Sequence, residues 1–410
     1  MIQRTEYLEI LKSLKDKNLI KMLVGVRRCG KSTLMQLFRE YLKTEGISEN
    51  QTVFLNFEDF ENRKFLNDID SLYYHIVNQL DLSKPCYVFL DEVQNVKEFE
   101  RVVDGLFVKP NIDVYVTGSN AYLLSSELGT LLTGRYIPIP VYPLSFKEYV
   151  SAFEDNSRLD LLFTQYLQNG GMPGMLELPS NQTEKYLQNI YNDIAQKDIF
   201  IRHNWYKEGN FERVLKFMLD NIGSPLSSSK ISNVLKSEGN TISYHTVDNY
   251  LNALTEAYLF YKVPRYDIKG KNLLRTQEKY YSVDLGFKEA LLGKTKNTDL
   301  GHNLENIVFL ELLRRNRRVY IGKADRTEVD FAVMTSEGDW EYYQVAWSTR
   351  EQSTFEREMR PFELIKDYNK RTLLTMDIEP ESSYKGIQKI NVIDWLLKNK
   401  LHLNTNYGTT

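Results

Sequence analysis

Gly25-Val-Arg-Arg-Cys-Gly-Lys-Ser-Thr33 is the stretch on which the fold turns. Its spacing is glycine, four free positions, glycine, lysine and serine, the pattern of a phosphate-binding loop. An apolar run, Leu19 to Val24, precedes it and a helical apolar pattern, Leu34 to Leu42, follows. The motif therefore falls at a strand-to-helix turn, which is the context that gives it meaning. Gly25 and Gly30 let the backbone approach an anion where a side chain would block it. Consecutive N–H groups opening onto a helix N-terminus then form a cradle for a polyphosphate. Lys31 is placed to reach the β- and γ-phosphates, and the Ser32 hydroxyl to complete a Mg²⁺ shell. Cys29 and Thr33 are the remaining loop positions against the nucleotide. Arg27 and Arg28 add positive charge, either for phosphate or for acids elsewhere in the chain.

Working outward, helical spacing places Tyr7, Leu8, Leu11 and Leu14 on one face of a helix before the first strand. Thr52-Val-Phe-Leu-Asn-Phe57 is a second strand, and Ile69 to Leu80 returns to helical spacing. The run Cys86-Tyr-Val-Phe-Leu90 delivers Asp91-Glu92 at its C-terminal end. In an open α/β sheet that edge is where ligand binds, so Asp91 is predicted beside the metal and Glu92 beside the attacking water. Ile112-Asp-Val-Tyr-Val-Thr117 leads into Gly118-Ser-Asn120. Ser119 or Asn120 is placed to hold the water and sense hydrolysis, or else to cap a following helix. Arg135 stands just before a fifth strand, Tyr136 to Val141. It is a candidate for stabilising phosphoryl charge, in cis or from a neighbouring subunit, with a surface arginine as the plainer alternative.

At 410 residues the chain exceeds the usual single domain. A hydrophobic content of 42% and a charged content of 26% belong to an ordinary soluble protein. A net charge of −3 gives no global attraction to nucleic acid or anionic membrane. Two cysteines make neither a disulfide framework nor a metal-site spacing. No apolar run approaches 18 residues, so no membrane partner and a cytoplasmic location are expected.

The loop with its paired arginines, Phe89-Leu-Asp-Glu-Val-Gln94, Thr117-Gly-Ser-Asn120, Leu132-Thr-Gly-Arg135, Tyr142-Pro-Leu-Ser-Phe146 and Gly170-Gly-Met-Pro173 together resemble a large family of prokaryotic AAA-type ATPases. In that family the ATPase domain is joined to a C-terminal region named only as a domain of unknown function. The resemblance covers nearly the whole chain. It implies an AAA-like α/β P-loop core with sheet order 5-1-4-3-2, ATP as the nucleotide, Walker A at Gly25 to Ser32 and Walker B at Asp91 and Glu92.

Four parts are expected: the ATPase domain over 1–150, a helical lid over 151–205, a winged helix-turn-helix over 206–285, and a restriction-endonuclease-like α/β domain over 286–410. Three amphipathic segments support the third part, with Phe211, Val214, Leu215, Met218 and Leu219 on the first. Its recognition segment, Ser243-Tyr-His-Thr-Val-Asp-Asn-Tyr250, has no lysine or arginine for phosphates, whereas Lys262, Arg265, Lys269, Lys271, Arg275 and Lys279 form a basic strip on the wing. That strip is a candidate contact for double-stranded DNA, or a solvated hairpin. The tail pattern runs helix, three strands, helix, strand, and resembles a nuclease fold. Glu305 and Asp330 match its acids, but Gln344 and Ala346 stand where an acid and a lysine are needed, so an inactive domain is expected. The favoured function is Mg²⁺-dependent ATP hydrolysis that switches the C-terminal region, with a homo-oligomer as one way of bringing Arg135 to a site. The alternatives are a nucleotide-gated module with negligible turnover and, less favoured, a metal-dependent nuclease.

Overall fold

The structure is a computed structural model that describes residues 2–121, 134–179, 181–205, 209–293, 299–315 and 317–398. Its contacts fall into two units. One comprises Met1–Pro143 with Glu256–Tyr258, the other Leu144–Thr255 with Leu259–Thr410.

The first unit is built on a parallel sheet of β1 (Ile20–Val24), β2 (Thr52–Asn56), β3 (Cys86–Asp91), β4 (Ile112–Gly118) and β5 (Tyr136–Pro140). The strand order is β2-β3-β4-β1-β5, the expected order read from the other edge. β1, β3 and β4 are buried at every position, because a parallel sheet is covered on both faces and its strands need apolar runs rather than alternation. Helix α1 (Thr5–Leu14) buries Tyr7, Leu11 and Leu14. Helix α2 (Lys31–Thr44) buries Leu34, Met35, Phe38 and Leu42, with the Phe38 ring 5.2 Å from that of Tyr115. Helices α3 (Ile69–Gln79) and α4 (Phe99–Phe107) follow β2 and β3. All five strands run the same way, so the segments after β1, β3 and β4 gather at one edge.

The second unit opens with α5 (Phe146–Val150), whose Ser145 and Glu148 form a capping box. Helix α6 (Leu159–Asn169) packs Phe163 edge-on against Phe146, centroids 5.1 Å apart. After α6 the chain adopts φ +78° at Gly170. A Cβ there would lie 1.7 Å from Asp284 Oδ1, and the Gly171 N–H donates to Asp284 Oδ2 at 2.6 Å. The glycine pair is thus the receptor of a buried carboxylate. Helix α7 (Thr183–Asp193) runs into a π-helical stretch, Ile194–Phe200.

Helix α8 (Gly209–Asp220) buries all five apolar residues expected of it. Strand β6 (Pro225–Leu226), helices α9 (Ser228–Ser237) and α10 (Tyr244–Glu256), and strands β7 (Phe260–Asp267) and β8 (Asn272–Ser282) follow. Ser227 caps α9, and the Ser243 hydroxyl accepts from Thr246 N–H at the start of α10. After α11 (Gly286–Leu292), the tail gives α12 (Leu300–Arg314), then β9 (Arg318–Ala324), β10 (Thr327–Met334) and β11 (Trp340–Ala346) as an antiparallel meander. Helix α13 (Gln352–Glu363) and β12 (Lys370–Thr375), parallel to β11, complete the expected order.

Two features differ from expectation. The tail does not end on the last expected strand: β13 (Ser382–Tyr384), β14 (Ile387–Asn391) and α14 (Val392–Leu397) follow, too short to show a clear period in sequence. The hairpin β7–β8 also shares a sheet with the tail, β7 pairing in parallel with β9, so one nine-stranded sheet runs β13-β14-β12-β11-β10-β9-β7-β8-β6.

Candidate active site

The loop after β1 is held from behind by contacts that sequence reasoning missed. Arg4, almost fully buried, donates to the carbonyls of Cys29 at 2.8 Å and Tyr142 at 2.9 Å. The Cys29 thiol is buried against the Val141 carbonyl at 3.2 Å, and burial pushes its pKa up, so it remains a thiol that packs the loop. A Cβ at Gly25 would lie 2.1 Å from the Val141 oxygen, so glycine is required there by close approach. Gly30 adopts φ +103° and stands at the N-cap of α2 with no side-chain cap. The first N–H groups of α2 therefore face the loop rather than a capping oxygen, the arrangement that favours an anion.

Lys31 is buried, and its ammonium donates to the carbonyls of Gly25 at 3.0 Å and Val26 at 3.1 Å. It thus spans the mouth of the loop. It also lies 3.7 Å from Glu92 Oε1. The two arginines part company: Arg27 points inward and pairs with Glu58 at 2.5 Å, while Arg28 is exposed at φ +66°. Ser32 and Thr33 occupy the first turn of α2, both partly buried.

β3 ends by placing its two acids in different environments. Asp91 is fully buried; Oδ1 accepts from the Thr117 hydroxyl at 2.6 Å, while Oδ2 is buried with no hydrogen-bond partner. Burial raises the Asp91 pKa against the opposing pull of the Thr117 and Ser32 hydroxyls. An unpaired carboxylate oxygen beside a serine hydroxyl fits a hard divalent cation, which would supply the missing partner. Glu92 takes φ +53°, a conformation uncommon for a non-glycine residue. Burial pushes its pKa up, but the Lys31 and Arg27 cations overcome this and hold it below the usual carboxylate range. Glu92 is therefore an anion at neutral pH.

Thr117 links the pair. Its hydroxyl donates to Asp91 and accepts from the Glu92 N–H at 2.8 Å. Gln94, on the short turn after Glu92, donates to Glu92 Oε2 at 2.5 Å and to Ser119 Oγ at 3.3 Å. Ser119 is fully buried and its hydroxyl also helps to lower the Glu92 pKa, which ties it to the acid. Asn120 is buried next to it at the same sheet edge.

Arg135 is the site expectation that the geometry does not assemble. It precedes β5, its carbonyl accepts from Ile20 N–H at the start of β1, and its guanidinium pairs with Asp104. In a parallel sheet that is the edge opposite the loop, one strand length away, so Arg135 does not reach this chain's phosphate site. Leu131–Thr133 of the same motif lie outside the described residues.

The tail acids form a second cluster. Glu305 accepts from Lys279 at 3.1 Å and from the Tyr281 hydroxyl at 2.5 Å, and Lys279 also pairs with Glu328 at 2.6 Å. Asp330 accepts from Val345 N–H at 2.8 Å, and burial with the neighbouring Glu305 charge drives its pKa well above the carboxylate range despite Lys279. Gln344 donates to Glu358 at 2.8 Å, and Ala346 is buried. Lys279, expected on an exposed basic strip, is buried among these acids instead. Lys262 pairs with Glu278 at 2.8 Å, and the Arg275 side chain lies outside the described residues. Among the described residues no group of three metal-ligating side chains is arranged to hold an ion.

A phosphate loop after β1 and an acid pair at the end of β3, in a sheet of this order, set the class: P-loop ATPases of the AAA type. Residues 17–150 match a family model described as an AAA domain, and residues 160–298 one described as a domain of unknown function (DUF8612). The chain belongs to the same family as an uncharacterized protein of Haemophilus influenzae, with which it is 40% identical over 402 residues, 97% of this chain and 99% of the other. It is 29% identical over 368 residues to the uncharacterized protein MJ1544 of Methanocaldococcus jannaschii, across 85% of this chain and 79% of that one. The solved structure of the Walker-type ATPase PABY2304 of Pyrococcus abyssi is similar in fold, with a TM-score of 0.50 and 15% identity, covering 71% of this chain and 96% of that one. No described helix is long and apolar enough to cross a membrane.

Proposed function

We propose that this protein binds ATP with Mg²⁺ at the Gly25–Thr33 loop, hydrolyses it, and uses the cycle to switch the C-terminal unit. The observation that carries the reading is the division of labour at the end of β3. Asp91 has one oxygen committed to Thr117 and one left over, beside Ser32, where a cation would bind. Glu92, next in sequence, is anionic and turned by its positive φ toward Lys31, the position of a group that orients and deprotonates water. Lys31 would exchange its loop carbonyls for phosphate oxygens, and its departure from Glu92 would free that carboxylate. Mg²⁺ would neutralise charge on the β- and γ-phosphates. Ser119, bonded to the acid network, and Asn120 beside it are the two groups proposed to report on hydrolysis.

In the second unit, three helices followed by the β7–β8 hairpin, with β6 pairing to β8, support the winged-helix reading. Double-stranded DNA is its proposed ligand, with exposed Tyr244, His245, Asp248 and Asn249 on α10 facing bases and the exposed Lys269 and Lys271 at the hairpin tip facing phosphate. The test is steady-state hydrolysis with and without duplex DNA, beside Glu92→Gln. The expected result is a loss of turnover of roughly 10² to 10⁴ with nucleotide still bound. Absence of hydrolysis by the unaltered protein under every condition overturns the ATPase reading and leaves a nucleotide-gated module.

A further inference from the structure

We propose that Gln94 is a positioning residue for hydrolysis, holding the Glu92 carboxylate in line for water; this rests on the ATPase reading above. The left-handed conformation of Glu92 starts a single 3-10 turn, Val93–Asn95, closed by Asn95 N–H to the Glu92 carbonyl at 3.1 Å. Such a turn brings the side chain two residues on back over the carboxylate. Gln94 uses that return: its amide nitrogen bonds Glu92 Oε2 at 2.5 Å and Ser119 Oγ at 3.3 Å. One carboxylate oxygen is thus fixed by a neutral donor and the other faces Lys31. A neutral amide is suited to this, because it fixes the rotamer without neutralising the base as a lysine or arginine would.

The other end of the amide carries the second observation. Gln94 Oε1 is buried and has no partner, an arrangement that costs free energy unless a donor is supplied. A water held between Gln94 Oε1 and Glu92 would supply it, with one proton given to each. On attack the water's oxygen bonds to the γ-phosphorus, the bond to the bridging oxygen breaks toward ADP, and the proton facing Glu92 passes to that carboxylate. Gln94 exchanges no proton.

The experiment compares Gln94→Leu, Gln94→Glu and Glu92→Gln with the unaltered protein, measuring nucleotide affinity, kcat and KM. Gln94→Leu is expected to keep nucleotide affinity within about twofold while kcat falls roughly 10- to 100-fold, part of what an aligned base contributes. The loss should fall on kcat with KM little changed, the split expected of a group that acts at the chemical step. Gln94→Glu, which sets a second anion against the base, should be slower still. The double variant Gln94→Leu with Glu92→Gln should be no slower than Glu92→Gln alone. Unchanged or raised kcat in Gln94→Leu, a loss confined to KM, or additive losses in the double variant would overturn the role of Gln94 while leaving the ATPase reading intact. No turnover in the unaltered protein would remove both. If Gln94→Leu fails to bind nucleotide, the kcat of Gln94→Glu decides the matter: a value equal to that of the unaltered protein overturns the role.

Discussion

Replacing Thr117 by valine tests whether one hydroxyl organises both acids. The two side chains have nearly the same shape, so the change deletes a donor to Asp91 and an acceptor from Glu92 and little else. Losing a bond to a charged group costs about 1.5–3 kcal/mol, and leaving the Glu92 N–H unpaired in a buried site costs a further ~1–3 kcal/mol. Together that is roughly 2.5–6 kcal/mol. For a unit of about 140 residues, with an unfolding entropy near 0.3 kcal/mol per degree, the transition should fall by about 8–20 °C. Function should shift in a definite direction too. The Thr117 bond opposes the burial that raises the Asp91 pKa, so its loss raises that pKa further. A proton then competes better with Mg²⁺, and both the magnesium concentration for half-maximal turnover and the acid limb should rise. Calorimetry and a magnesium titration at two pH values measure both, with Thr117→Ser, which keeps the hydroxyl, as the near-neutral control. A valine variant melting within about 2 °C of the unaltered protein, with the same magnesium requirement, would refute the linkage.

Gly170→Ala places a Cβ on the Asp284 carboxylate at a positive φ, and should cost about 2–5 kcal/mol from strain and an unpaired Gly171 N–H, read by thermal unfolding of the second unit. Lys279→Met leaves Glu305 without its buried cation and should cost about 3–5 kcal/mol at neutral pH. The sign with pH follows from Asp330: removing Lys279 removes a contact that lowers its pKa, so the folded state holds the proton still more tightly than the unfolded chain. A raised folded pKa loses stability as pH rises through it, so the deficit of the variant should be smallest at acid pH and widen once pH passes the range in which Asp330 of the unaltered protein gives up its proton, measured by denaturant titration at a series of pH values.

What the sequence disclosed was local. Loop spacing, apolar runs too continuous for a surface strand, and an acid pair at a strand end lie within a few residues of one another, and the structure places Lys31, Ser32, Asp91 and Glu92 together at one sheet edge. What stayed hidden depends on distant pairing. Thr117 meets Asp91 from 26 positions away, and Arg4 meets Tyr142 from 138. No period or motif carries such information. Gln94 is different, because it stands two residues from Glu92 and only the positive φ between them, unforeseeable for a glutamate, brings it back. Arg135 was legible after all: a residue that precedes a strand parallel to β1 must sit at the edge away from the loop that follows β1.

Lys279 shows how the same limit shaped the reading of the tail. Counted along the chain it belongs to a basic hairpin; in the fold it is the cation of Glu305 and Glu328, on α12 and β10. Tyr281 on the same strand adds a second bond to Glu305, and Ser282 N–H donates to Asn306 on the same helix at 2.8 Å. β7 meanwhile pairs with β9. Separating the hairpin from the tail would strand a buried carboxylate and lysine and open backbone pairing, each costly in an interior without water. A nucleotide-driven change should therefore carry the hairpin and the tail sheet as one piece. Glu305 and Glu328 then serve as an internal fastening between hairpin and tail, with the Lys279 ammonium as their shared counter-ion.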